Sequence, residues 1–120
     1  MKRTNTVKLP RSLAEKVANR KLVEVNVEDL ITNPVQPQTR FKKNTTKYRA
    51  LLDSVRRVGM LDNIHHSGKT MHIIHGHRRI EVLKDLGIKT VWSYLYDNIT
   101  PKEEQILFEY LNNTNLSFGR

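Results

Sequence analysis

The chain has no cysteine in its 120 residues, which excludes disulfides, thiolate metal sites and thiol catalysis. No apolar run approaches the roughly 18 residues of a membrane span, and no signal-peptide apolar stretch follows the charged start, so a cytoplasmic protein is expected. Acids are scarce: 12 Asp and Glu stand against 21 Lys and Arg, a net charge of +9. Such an excess favours polyanionic partners such as nucleic acid or nucleotides, although a merely soluble basic protein carries the same signature. Several signatures are missing too. There is no G-x-x-x-x-G-K-[S/T] loop, no G-x-G-x-x-G turn, no H-E-x-x-H and no arguable Ser-His-Asp arrangement. The acidic pairs Glu28-Asp29 and Glu103-Glu104 are adjacent, so their side chains diverge and a carboxylate dyad is not expected. The residues do not demand enzyme chemistry. They do demand binding.

What is present centres on Met71–Leu86, MHIIHGHRRIEVLKDL. Ile73-Ile74 reads as a buried strand, Gly76 interrupts it, and Ile80, Val82, Leu83 and Leu86 then follow a helical period. A strand turning through glycine into a helix leaves free N–H groups where the macrodipole favours negative charge. Arg78 and Arg79 fall in that first turn, where cations oppose the dipole. A phosphate in the turn would explain them, as would solvation or pairing with Glu81 or Asp85.

Length and a hydrophobic fraction of 38% suit one domain with a terminal arm. Residues 1–21 read as a basic N-terminal arm with a short helix, Ser12 and Glu15 forming a capping box and the helix ending near Asn19. That helix docks on the domain or forms only against a partner. The domain proper is expected over 22–120. Leu22–Val27 alternates as a half-buried strand, and Leu30–Phe41, with its prolines, reads as an extended loop. Extended geometry would point Gln36, Gln38 and Arg40 to one side.

Tyr48, Leu51, Leu52, Val55 and Val58 mark a helix stopped by Gly59, and a hairpin follows from Asp62 to His75. Thr90–Tyr96 reads as a strand in which core or edge packing accounts for Trp92. Thr100-Pro101-Lys102-Glu103 starts a last helix, which the run Asn112-Asn113-Thr114-Asn115 should fray. The order points to an α+β domain with a small mixed β-sheet and packed helices.

All five histidines lie between His65 and His77. Imidazole is a common metal ligand, but strand alternation separates His72 from His75 and no carboxylate motif joins them. His77, inside the glycine turn, is placed to donate to a phosphate. Arg49, Arg56 and Arg57, opposite the apolar face of their helix, form either a nucleic-acid backbone face or a solvated one.

Three segments resemble the N-terminal domain of the ParB/sulfiredoxin superfamily, over about Leu22 to Ser117. Asn33-Pro34-Val35-Gln36-Pro37 with Phe41 resembles the N-P-x-Q-P-R-x-x-F segment. Gly76-His77-Arg78-Arg79 resembles the G-E-R-R box, and Glu109 to Leu116 resembles E-N-L-Q-R-x-D-L. The resemblance implies a sulfiredoxin-like fold and a nucleotide-phosphate pocket, with CTP and magnesium in ParB proteins and ATP in sulfiredoxins and related free-serine kinases. Phosphate contacts would come from Gln36, Gln38, Arg40, Gly76, His77, Arg78, Arg79, Asn112 and Asn113, and a metal contact from Glu109.

The sequence departs from the family in places. Gln38 stands where the first motif has Arg, Tyr110 where the third has Asn, and Asn113 where it has Arg. Sulfiredoxin chemistry itself needs a cysteine. The resemblance thus implies a CTP-type nucleotide module acting on or near DNA, in partition or regulation of a plasmid, phage or other mobile element, with a homodimer possible. The alternatives are a metal-dependent nuclease, an ATP-dependent small-molecule kinase with Glu28 or Asp29 as base, and a non-specific DNA-binding basic protein. Whether the chain is an enzyme stays open.

Overall fold

The structure, a computed structural model, describes residues 9–35, 45–59 and 62–118, with side chains through 112. Its elements are α1 (Arg11–Ala18), β1 (Lys21–Asn26), a 3-10 turn (Val27–Asp29), α2 (Thr46–Val58), β2 (Ile64–Ser67), β3 (Ile73–His75), α3 (His77–Asp85), β4 (Thr90–Tyr96) and α4 (Pro101–Phe118). The strands form one sheet in the order β1-β4-β2-β3. β4 runs antiparallel to β1 and parallel to β2, while β2 and β3 make an antiparallel hairpin. This is the expected α+β fold with a small mixed sheet.

The sheet divides the apolar interior in two. On one side Tyr48 and Val55 of α2 and Ile80, Val82 and Leu83 of α3 pack with Ile64, Ile73 and Val91. On the other, Leu13 of α1 and Leu107 of α4 pack with Ile74, Tyr96 and Ile99. Consecutive residues Ile73 and Ile74 serve opposite cores, as strand alternation requires. α1 is therefore docked: Leu13 is fully buried, and Lys16 Nζ meets Glu103 Oε1 of α4 at 2.8 Å.

Local chemistry explains the helix ends, with some corrections to the sequence reading. At α4, Thr100 Oγ1 accepts the Glu103 N–H at 3.1 Å and Glu103 Oε1 accepts the Thr100 N–H at 2.9 Å, a complete capping box. The box expected at Ser12 and Glu15 does not form. α1 begins earlier, at Pro10, whose carbonyl accepts the Ala14 N–H at 2.8 Å, so Ser12 lies inside the helix. α4 does not fray at Asn112 but continues to Phe118. Asn112 spends its amide on the Phe108 carbonyl at 2.6 Å and on the Ile74 carbonyl at 3.1 Å, a tertiary anchor that outweighs poor helix propensity.

Val58, expected on the core face of α2, is 59% exposed at the end of that helix, and Trp92 is 52% exposed. Trp92 sits opposite Glu24 of β1, near exposed Leu22, where no helix among the described residues covers the sheet. Among the described residues no helix is long and apolar enough to cross a membrane.

Candidate functional site

The turn between β3 and α3 requires glycine. Gly76 has φ of 106°, a conformation L side chains rarely adopt, and a Cβ there would lie 2.5 Å from Ile64 Cδ1. As N-cap of α3 it has no side chain to accept the first-turn N–H groups, which have no acceptor inside the helix. Arg78 is exposed and makes no ion pair among the described residues. Arg79 Nη2 meets Asp62 Oδ2 at 2.8 Å, a pair open to water. The N–H groups of a helix start, a dipole end and two guanidinium groups on one turn form an arrangement suited to an anion.

His77 opens α3 but points inward, 7% exposed, with its ring edge-on to Phe108. Its Nε2 accepts the backbone N–H of Asn33 at 3.2 Å. Burial, assisted by His75, pushes its pKa down to about 4, so the ring is neutral and carries its proton on Nδ1. Nε2 is thus an acceptor serving the Asn33 loop, and any donation from the ring comes from Nδ1.

The other histidines are similarly committed. His65 Nδ1 and the Tyr96 hydroxyl lie 2.7 Å apart, and burial, with His75 and Arg20, pushes His65 down to about 4. His66 Nδ1 meets Ser93 Oγ at 2.6 Å. Ser93 donates its hydroxyl proton to the Ile64 carbonyl, so His66 is the donor, and burial lowers its pKa. His75 is lowered mainly by burial and further by Arg79, against an Asn112 hydrogen bond and Asp62 that favour its charged form. Among the described residues no group of three or more His, Asp or Glu side chains converges as a metal site.

The candidates therefore divide. Gly76, His77, Arg78 and Arg79 share one turn, and Asn112 joins it through the Ile74 carbonyl and the His75 ring. Asn113 lies in α4, its side chain outside the described residues, and Glu109 is exposed on the same helix. Gln36, Gln38 and Arg40 lie outside the described residues. Arg49, Arg56 and Arg57 are all exposed on α2, Arg57 pairing with Asp53 at 3.3 Å, away from the turn in sequence and element. Glu28 and Asp29 are exposed on the 3-10 turn, Asp29 accepting from Asn26.

Sequence reasoning named Asn33 only as the start of a motif and Glu104 only in an acidic pair, and gave neither a role. Asn33 is 3% exposed, and Glu104 accepts from Asn33, Thr70 and His72 while only 7% exposed. A signal was present: Glu104, Leu107 and Leu111 fall on one helical stripe, and an acid on an apolar stripe asks for buried donors.

A profile of the ParB N-terminal domain family matches residues 11–113. No curated protein matches the chain in sequence. Among solved structures, the C-terminally truncated chromosome-partitioning protein ParB from Caulobacter crescentus, complexed with CTP-gamma-S, superposes with a TM-score of 0.66 at 23% identity, over 78% of this chain and 53% of its own. A Pnob8-like ParB-N domain superposes with a TM-score of 0.63 at 20% identity, over 80% of this chain and 37% of its own. At these identities the likeness is one of fold. The chain spans about half the length of the first structure and less of the second.

Proposed function

The chain belongs to the ParB N-terminal domain family, and from that premise we propose that it is a CTP-type nucleotide-binding module of a partition or regulatory system, working on or near DNA in the cytoplasm. The observation that carries the reading is the α3 turn: a left-handed glycine N-cap with no capping side chain, followed by Arg78 and Arg79. Arg78 and the first-turn N–H groups hold phosphate oxygens, with Arg79 exchanging Asp62 for a stronger bidentate partner. Asn112, whose amide holds the Ile74 carbonyl, supports the turn from α4. Gln36, Gln38, Arg40 and Asn113 complete the pocket in this proposal.

Magnesium, if it accompanies the nucleotide, would neutralise phosphate charge, and Glu109 is the residue that would hold it. A nucleotide-bound magnesium takes most of its ligands from phosphate and water, so a single carboxylate, Glu109, fits such a site. The exposed arginines of α2, Arg49, Arg56 and Arg57, give a face for the DNA backbone, and a homodimer would double that face.

Calorimetric titration with CTP, ATP, GTP and UTP, each with magnesium, tests the proposal. Saturable binding with preference for CTP is expected. Equal binding of all four would reduce the site to a phosphate site, and no binding to any would overturn the reading and leave the basic surface as the guide, with DNA the next ligand to titrate.

A further inference from the structure

A carboxylate buried on a helix must be compensated by donors, and those of Glu104 all come from elsewhere in the fold. Thr70 donates its hydroxyl to Oε1 at 2.9 Å, His72 Nδ1 lies 2.7 Å from Oε2, and Asn33 Nδ2 reaches Oε2 at 3.4 Å. Thr70 and His72 belong to the β2–β3 connection, and Asn33 to the loop after the 3-10 turn. Leucine at this place would extend the stripe of Leu107 and Leu111 without desolvating a charge. What the carboxylate supplies instead is a joint between two loops and α4.

Asn33 continues the joint. Its Oδ1 accepts the Val35 N–H at 3.1 Å, closing a turn, and its own N–H goes to His77 Nε2. His77 is the first residue of α3, directly before Arg78 and Arg79. The segment is also tied along its backbone: Ile31 N–H donates to the Met71 carbonyl and Ile73 N–H to the Ile31 carbonyl, both at 2.8 Å.

We infer that Glu104 is a positioning residue for the anion site: its carboxylate holds Asn33, and Asn33 holds the His77 ring and with it the first turn of α3 before any phosphate arrives. The inference rests on the nucleotide reading above. It adds that affinity depends on a carboxylate that never touches the ligand. A site preorganised this way loses less freedom on binding than one assembled by the ligand.

Two variants test it. Glu104→Gln replaces one acceptor oxygen with an amide that faces the Asn33 amide donor. Glu104→Asp keeps the charge and withdraws it by one methylene, so it remains informative should the first variant fail to fold. We expect CTP–magnesium affinity to fall about tenfold or more in folded variants. We also expect the Asn33 and Val35 amides to exchange hydrogen faster while those of β4 do not change.

Wild-type affinity in a folded variant, or unchanged exchange at those two amides, overturns the inference. Faster exchange spread evenly over β4 and the loop also overturns it, because that is loss of global stability. If the wild type binds none of the nucleotides, the reading of the site fails and the affinity effect with it. The two amides, measured without ligand, then still decide whether Glu104 holds the loop.

Discussion

The imidazole rings of His65 and His75 meet edge to face, their centroids 5.6 Å apart, as paired residues across β2 and β3. Around them stand Tyr94 and Tyr96 of β4, Arg20, Asn112 of α4, and Arg79 with Asp62 at the α3 turn. Two imidazoles so close cannot readily both carry charge, and burial removes the water that would solvate either.

That arrangement makes stability depend on pH. His65 and His77 titrate near 4 in the folded protein against an ordinary 6.5, and His66 and His75 are also lowered. Because the folded pKa values lie below the unfolded ones, the unfolded chain binds more protons between these limits. Stability is fully present above about pH 6.5 and is lost as pH falls toward 4. Glu103, held below the usual carboxylate range chiefly by its Lys16 hydrogen bond, adds a loss of the same sign at the acid end. Urea midpoints measured across this range should decline on acidification, and His65→Gln should remove about one proton from the uptake. A flat profile would sink the account.

Replacing Arg78 and Arg79 together by Gln should abolish nucleotide binding and leave folding nearly intact. The single ion pair lost among the described residues, Arg79 with Asp62, is solvent-exposed and is worth about 1 kcal/mol at most. Calorimetry read beside thermal unfolding separates the two effects. A large drop in melting temperature would make the arginines structural.

Gly76→Ala and Gly59→Ala should behave differently although both glycines have positive φ. Around Gly59 nothing lies within 4 Å of an added Cβ, so only backbone strain is expected, about 1–3 kcal/mol for its φ of 82° and ψ of −170°. At Gly76, with φ of 106° and ψ of 21°, left-handed strain of about 1–2 kcal/mol is joined by the clash with Ile64 Cδ1, a further cost of about 1–3 kcal/mol. Chemical denaturation of both variants measures the difference, and equal losses would refute it.

Leu13→Ala tests the docking of α1. The side chain is fully buried among Tyr96, Ile99 and Leu107, and truncating such a leucine costs about 2–5 kcal/mol. A loss below about 1 kcal/mol, read from urea unfolding, would show that the helix is not part of the cooperative unit.

The elements legible in the sequence were those whose cause is local. Thr100, Pro101 and Glu103 specify a helix start within four consecutive positions, and the structure forms both bonds of that box. The strand–glycine–helix stretch at Ile73–Leu86 was equally plain, because periodicity and a forced glycine both act at short range. Ser12 and Glu15 showed the limit of pattern, since Pro10 starts α1 a residue pair sooner. The hidden part was long-range and polar: Asn33 meets His77 across 44 positions and Glu104 across 71. None of the three is unusual alone, and only the fold shows that each is the other's partner. Trp92 was misjudged for a related reason, because alternation gives the face of a strand but not whether a helix lies over it.

The two-sided interior sets an order of assembly. Among the described residues, every buried member of the core under α2 and α3 lies from Val27 to Val91. The opposite core needs both Leu13 and Leu107, and the ion pair that clasps it joins positions 87 apart. During synthesis the first half of the interior is therefore complete in sequence while α1 still waits for its partner helix. Contacts of such separation are slow to form, so we expect a released chain ending at Ile99 to protect α2 and α3 from protease while α1 stays open to cleavage.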